Sequence, residues 1–407
     1  MSAPATEPTH DEVAWLLSAD AVRQRAHAIL AKAERGDLAH FDYRPDRLGD
    51  AAALVAAVTR ESYPDLNVPY HSRWRHFVVE GEDRWAALES RLDIPDADEI
   101  ARIRFDLAVT SVLLDAGAGD RWRYRDRDGV ELARSEGLAI ASFDLFRAGG
   151  FASDPIAAYL RADAAALGTL TEETLARGFQ AGPDNPLVGL DGRAALLRRL
   201  GSALAAAPDL FGRPGRVGNL YDALKAQAVD GTLPASAILT AVLRGLGPIW
   251  PGRIARGGVN LGDTWSHSAV GLVPFHKLSQ WLSYSLVEPL EGAGIAVTGL
   301  DRLTGLPEYR NGGLLVDSGV LVPKDPRLLT DELEVGDEAV VEWRALTVAL
   351  LDRLAEDVRA RLGVPAASFP LAKVLQGGTW TAGRRIARER RPGGGPPIRI
   401  RSDGTVF

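Results

Sequence analysis

"DEVAWLLSADAVRQRAHAILAKA", residues 11–33, decides the fold class. Its apolar residues Val13, Leu16, Leu17, Val22, Ala26, Ile29 and Leu30 recur at three- and four-residue steps, with polar residues on the opposite face, which predicts an amphipathic helix. The same period returns in 46–61, 96–116, 155–167, 171–180, 193–207, 219–227, 234–246, 274–290 and 338–362. Thr169-Leu-Thr-Glu-Glu supplies a hydroxyl cap ahead of first-turn acids, and Pro234 sits where a missing N–H costs nothing. Gly117, Gly201, Gly245 and Gly292 each follow a periodic run and are predicted helix stops. Strand signals are few: 122–124, 313–316 and a C-terminal Ile398-Arg-Ile-Arg, which the turn Ser402-Asp-Gly would fold into a small hairpin. The fold class is mainly α with minor β.

No fixed-period repeat points to a solenoid. At 407 residues the chain reads as a single large helical domain over 1–407, or as two closely packed lobes of about 1–210 and 211–407. A charged fraction of 25%, a hydrophobic fraction of 46% and a net charge of -7 are those of a water-soluble chain and argue against nucleic acid as a partner. The absence of cysteine removes disulfides, thiolate catalysis and cysteine-ligated metal sites. The first seventeen residues lack the pattern of a secretory leader and no apolar run reaches membrane-spanning length, so the expectation is a cytoplasmic protein without a membrane partner.

Four clusters are dense in chemistry. In "NVPYHSRWRHF", 67–77, His71, Arg73, Trp74 and His76 offer imidazoles, a guanidinium fork and an indole suited to phosphate or sugar hydroxyls. The competing reading makes Tyr70, Trp74 and Phe77 core anchors, with Arg73 and Arg75 solvated. In "GGVNLGDTWSH", 257–267, the glycines admit backbone close to a ligand, and Asn260, Asp263, Trp265 and His267 follow. Asp263 and His267, four apart, form an incomplete metal pair, and no metal is expected. "FHKLSQWLSY", 275–284, continues it: His276 and Gln280 share one helix face, and Lys277, Trp281 and Tyr284 another. These residues can equally form a buried polar network.

The segment 300–321 holds Asp301, Glu308 and Asp317 with Arg302, Tyr309 and Arg310 in a chain bent by proline and glycine. It offers either a positioned carboxylate for acid/base or nucleophilic work, or an exposed ion-paired loop. Near the C-terminus, Gly377, Gly378 and a hydroxyl precede a predicted helix whose first N–H groups, with Arg384 and Arg385 close by, could take an anion. Fingerprints of serine hydrolases, zincins and dinucleotide enzymes are missing, and no cofactor is expected.

Taken together, 68–77, "SVLLDAGAG" at 111–119, 258–265, 275–282, "TGLPEYRNGG" at 304–313 and the Gly-Gly-Thr-Trp near the end resemble the microbial uracil catabolism protein 4 family over nearly the whole chain. That resemblance implies a role in pyrimidine degradation, by a route in which ribosylurea or its 5-phosphate arises and urea is released. More distantly, the chain resembles the queuosine-salvage nucleosidases, which hydrolyse an N-glycosidic bond on a helical, DNA-glycosylase-like architecture. The matching pieces run in order: 111–115; "LTEETL" at 170–175 with Phe179; Lys277 and Gln280; Tyr309-Arg310 followed by Gly319-Val-Leu; and 338–345. The second resemblance implies that Glu308 stands where that family carries its catalytic aspartate, and Ser285 where it carries a further aspartate.

The expected reaction is therefore hydrolysis of a C1′–N bond to free urea, with Glu308 as the carboxylate at the reacting carbon. Lys277, His276 and Arg310 are the expected sugar-phosphate contacts, and Asp263, His71 and His76 the hydrogen-bonding groups. Trp74, Trp265 and Tyr309 would shape the pocket, and Asn260 with Asp263 would read urea. Arg73, His267 and Asp317 complete the candidate substrate contacts. The partner is a small molecule, either sugar-phosphate or nucleotide-derived. Two alternatives stand beside this reading: an amidohydrolase or lyase acting on the ring-opened product, and a non-catalytic subunit that senses a pathway nucleotide.

Overall fold

The computed structural model describes residues 10–115, 117–156 and 158–401. It is mainly helical, and the strands among these residues pair only two at a time. Contacts divide the chain into two units, both discontinuous in sequence. The first gathers residues up to His71 with Pro251–Gln280 and Leu300–Arg401, and the second gathers Ser72–Trp250 and Trp281–Gly299.

In the first unit the long helix Glu338–Leu362 forms over the predicted span, buried along most of its length, and it packs against the helices Ala19–Glu34 and Leu48–Ser62. The predicted helix at 11–33 is interrupted. His10–Leu16 is one helix and Ala19–Glu34 another, because Ser18 turns extended, accepts the Ala21 N–H on its hydroxyl and donates that hydroxyl to the Trp15 carbonyl at 2.6 Å. The predicted strand at 313–316 lies inside the helix Tyr309–Asp317. Its paired glycines are there for contact: a Cβ on Gly312 would stand 2.7 Å from the Trp343 indole, whose Nε1 donates to the Gly312 carbonyl at 3.1 Å.

The C-terminal reading also changes. Arg399–Arg401 pairs in parallel with Glu332–Glu334, so this arm of the predicted hairpin has its partner elsewhere in the chain; the turn and second arm, 402–407, lie outside the described residues. Gly377 and Gly378 do precede a helix, Trp380–Arg390, but not as its free start. They lie in a π-helical turn, Leu375–Thr379, that joins Leu371–Val374 to Trp380–Arg390, so the N–H groups there are not those of a helix start. Arg385 pairs with Glu61 at 2.7 Å and Arg384 lies over Trp380.

In the second unit Ala97–Leu113, Leu190–Ala206 and Ala235–Leu246 form close to the predicted spans. Gly201 and Gly245 lie inside helices as crossing points instead of stops: a Cβ at Gly201 would meet the Gly168 backbone nitrogen at 2.5 Å, and one at Gly245 the Phe211 ring at 2.8 Å. Of the predicted helix at 155–167 only Ala164–Gly168 forms. Ala162 and Ala164 instead exchange backbone hydrogen bonds with Val217 and Gly215, and Asp163 caps the short helix through Ala165 and Ala166. The helix Arg134–Arg147, absent from the sequence reading, is buried through most of its middle and so shows no two-faced pattern.

Candidate active site

The candidate site is built in the first unit, on the start of the helix Tyr309–Asp317. Pro307 precedes Glu308, whose backbone is extended and whose side chain caps that helix. One carboxylate oxygen accepts the Arg310 N–H at 2.7 Å and the other the Asn311 N–H at 2.6 Å. Glutamate is an unusual cap, and here the two bonds fix a buried carboxylate in one orientation. Burial pushes the Glu308 carboxyl above its usual value; the two N–H groups and the charges of Lys277 and Arg310 pull the other way.

His71 belongs to the same electrostatic neighbourhood. Gln376 turns its amide nitrogen to Tyr63 Oη and its oxygen to His71 Nδ1 at 3.0 Å, so Nδ1 carries the proton of the neutral ring. The π-helical turn is what presents Gln376 there. Burial lowers the His71 pKa to about 4, the Gln376 bond opposes the drop, and Lys277 adds to it. Lys277 thus acts on both His71 and Glu308, which draws His71, Lys277, Glu308 and Arg310 into one constellation. Arg310 sends Nη1 to the Gly394 carbonyl at 2.8 Å and lies over the half-buried Tyr309 ring.

That constellation carries a stability signature. The unfolded chain protonates His71 near 6.5 and the folded chain near 4, so stability is lost as pH falls through this window, by on the order of 3 kcal/mol for the whole interval. His276, also lowered by burial, adds to the same loss. Denaturant unfolding of His71→Asn across the window is expected to give a shallower dependence, by about one bound proton. An unchanged slope would show that His71 is not held neutral.

Several other predicted site residues build scaffold. Burial alone would raise the Asp263 carboxyl, but Arg344 holds it well below the usual carboxylate range. Arg344 grips it with Nη1 and Nη2, each at 2.8 Å, while Trp265 Nε1 donates at 2.7 Å and the Lys277 N–H at 3.1 Å. With four donors in place, Asp263 is a clamp that starts the helix Lys277–Gly292 rather than a group turned toward urea. Gly257 and Gly258, both at positive φ, form the turn between the short strands Ala255–Arg256 and Val259–Asn260. Asn260 accepts the Gly262 N–H at 3.0 Å.

His276 has a left-handed backbone, φ 48°, and its Nε2 donates to the Leu16 carbonyl at 2.8 Å, so its ring is committed to packing. His267 Nδ1 accepts the Ala269 N–H, leaving Nε2 3.5 Å from Glu342, whose other oxygen takes the His40 and Phe41 N–H groups. Asp317 is held by both terminal nitrogens of Arg391, at 2.7 and 2.5 Å. Among the described residues no group of three or more metal-type side chains is assembled.

Arg73, Trp74 and His76 belong to the second unit, where Trp74 follows the core reading but Arg73 does not take the solvated place that reading gave it. Arg73 is fully buried, bonded to Asp115 at 2.6 Å and Ser111 at 2.7 Å. Trp74 donates to the Ser285 carbonyl at 2.8 Å and meets Phe77 and Trp85 edge-on, while His76 stands edge-on to Trp281. Ser285, by taking the Arg73 N–H on its hydroxyl, fastens this turn. Sequence reasoning passed over Arg344 and Gln376 as individual positions, although Arg344 falls in the segment 338–345 and Gln376 directly precedes the Gly-Gly-Thr-Trp near the end.

Comparison with known proteins places this arrangement. A family model described as "Protein of unknown function (DUF1688)" matches residues 15–407. "Protein urg3" of Schizosaccharomyces pombe is 42% identical over 409 residues, 98% of this chain and 99% of that one. "Uracil catabolism protein 4" of Lachancea kluyveri is 36% identical over 437 residues, 97% of this chain and 99% of its own. No helix among the described residues is long and apolar enough to cross a membrane. With matches of this length and identity, the chain belongs to the family of uracil catabolism protein 4, the DUF1688 proteins.

Proposed function

We propose that this protein acts in uracil catabolism as an N-glycoside hydrolase that frees urea from ribosylurea or its 5-phosphate. The observation that carries the reading is Glu308, a buried carboxylate locked by two backbone N–H groups and felt by Lys277 and Arg310; the resemblance to the queuosine-salvage nucleosidases, which implies that it stands where they carry their catalytic aspartate, supports the same reading. In the reaction the C1′–N bond breaks as positive charge grows on the ribose ring, and the fixed carboxylate stabilises that charge. Water supplies the oxygen that joins C1′ and the proton that leaves with urea, so the products are urea and ribose or ribose 5-phosphate. A carboxylate held in place before the substrate arrives spends nothing on reorientation.

Lys277, whose charge acts on both His71 and Glu308, is the cation this reading assigns to the sugar phosphate; the His276 ring is committed to a backbone carbonyl, and Arg310 gives Nη1 to Gly394 while its buried Nε has no hydrogen-bond partner. The neutral His71 ring is suited to a sugar hydroxyl. Steady-state urea release from ribosylurea and from its 5-phosphate tests the assignment. Lys277→Met is expected to raise KM for the phosphorylated substrate by on the order of tenfold or more and to leave the unphosphorylated one little changed. Equal effects on both substrates would remove Lys277 from phosphate recognition, and no urea from either would remove the glycosidase reading.

A further inference from the structure

We propose that the second unit carries a binding site for a small phosphorylated metabolite, in a cavity of about 540 Å³ lined by Arg91, Arg161 and Arg216 together with the acids Asp93 and Glu99. It shares no residue with the Glu308 constellation and does not depend on the glycosidase reading. The wall is assembled from four places: the loop that follows the helix Arg84–Glu89, one face of Ala97–Leu113 carrying Glu99 and Ile103, the segment 158–161, and Arg216.

Arg216 is the built part. Its backbone is bridged to Asp163, and its side chain is only 7% exposed. Two edges of the guanidinium are filled, Nε by Asp106 and Nη1 by Glu99, both at 2.7 Å. These carboxylates hold the plane rigid, and Nη2 is left buried with no hydrogen-bond partner. A buried guanidinium N–H without an acceptor is costly and asks for one. Arg161 adds a second guanidinium nitrogen, Nε, that is buried and without a hydrogen-bond partner.

The acids on the wall do not cancel this demand. Glu99 is shared between Arg216 and Arg102, and Asp93 is exposed. Neither Arg91 nor Arg161 meets a carboxylate at ion-pair distance among the described residues. A tetrahedral oxyanion offers several acceptors at once to guanidiniums that line one cavity, which is the recognition arginine performs best. The rest of the cavity is apolar, with Ile94, Ile103 and Leu160 beside the partly exposed Tyr159. Its volume is that of a small-molecule site, larger than an inorganic ion fills. The occupant is therefore a phosphate monoester with an organic body of sugar or nucleoside size.

Amide hydrogen exchange of the full chain with ribose 5-phosphate, beside ribose, tests this. Ribose 5-phosphate is expected to slow exchange in 91–103 and 158–163, ribose is not, and Arg91→Gln/Arg161→Gln is expected to weaken the effect by on the order of tenfold or more. Both substitutions lie outside the ion-paired core, and circular dichroism checks the fold. The proposal is overturned if millimolar ribose 5-phosphate leaves these segments unchanged, if ribose slows them equally, if the double variant keeps the full effect, or if slowing is confined to 305–312.

Discussion

Glu308→Gln is expected to lower kcat for urea release by about three orders of magnitude, the effect of removing a positioned carboxylate from the reacting carbon. Glutamine keeps one oxygen to accept a backbone N–H of the capped helix, but its NH2 faces the other, so loss of about 1 kcal/mol of stability accompanies the loss of rate. Glu308→Asp separates the two effects. Aspartate is a better cap and retains the charge, so the variant is expected to be as stable as the parent while catalysis recovers in part. If Glu308 served only as a cap, rate would follow stability, and Glu308→Asp would restore both fully.

Arg344→Leu is expected to cost about 3–5 kcal/mol, because it leaves Asp263 charged, buried and without its bidentate partner. The damage reaches the site, since Asp263 also receives the N–H of Lys277 at the start of Lys277–Gly292. The sign of the pH dependence follows from the clamp. Asp263 is depressed in the folded chain, so its contribution is present above the unfolded carboxylate range and lost as pH falls. The variant's disadvantage is therefore expected to shrink in acid, where Asp263 without Arg344 can take up a proton while the parent, its Asp263 still ionised, loses stability to the protonated unfolded chain. Denaturant midpoints at neutral and acidic pH measure this, and adding Asp263→Asn is expected to recover part of the loss. A midpoint unchanged by Arg344→Leu would show the clamp to be idle.

What was legible in the sequence follows from what each residue does. Glu338–Leu362 could be placed because its apolar period is long and its start is acidic. Arg134–Arg147 could not, because it is short and its middle, 137–143, is continuously buried, with no further two-faced stretch such as 352–362 gives Glu338–Leu362. The stretch 313–316 inside the helix Tyr309–Asp317 read as a strand because a glycine pair lowers helix propensity, and the pair answers to contacts distant in sequence, Trp343 at Gly312 and Pro397 at Gly313. The segment 155–167 has helical spacing, but at 162–164 backbone pairing with 215–217 prevails.

The candidate site divides in the same way. Glu308 was found through the motif around it, whereas the saturation of Asp263 depends on a partner 81 residues away. The hold on His71 depends on Gln376, 305 residues distant. The crowding of indole, imidazole and glycine in 257–284 is mostly scaffold: a glycine turn, an Arg–Asp clamp and a committed imidazole place Lys277 where its charge reaches Glu308.

The decisive measurement is the product balance from synthetic ribosylurea 5-phosphate with the purified protein, assaying urea, reducing sugar and ammonia in the same sample. Hydrolysis at C1′ by Glu308 gives urea and ribose 5-phosphate in equal amounts without ammonia, and Glu308→Gln gives neither. Ammonia released without matching urea, or urea formed at an undiminished rate by Glu308→Gln, would contradict it.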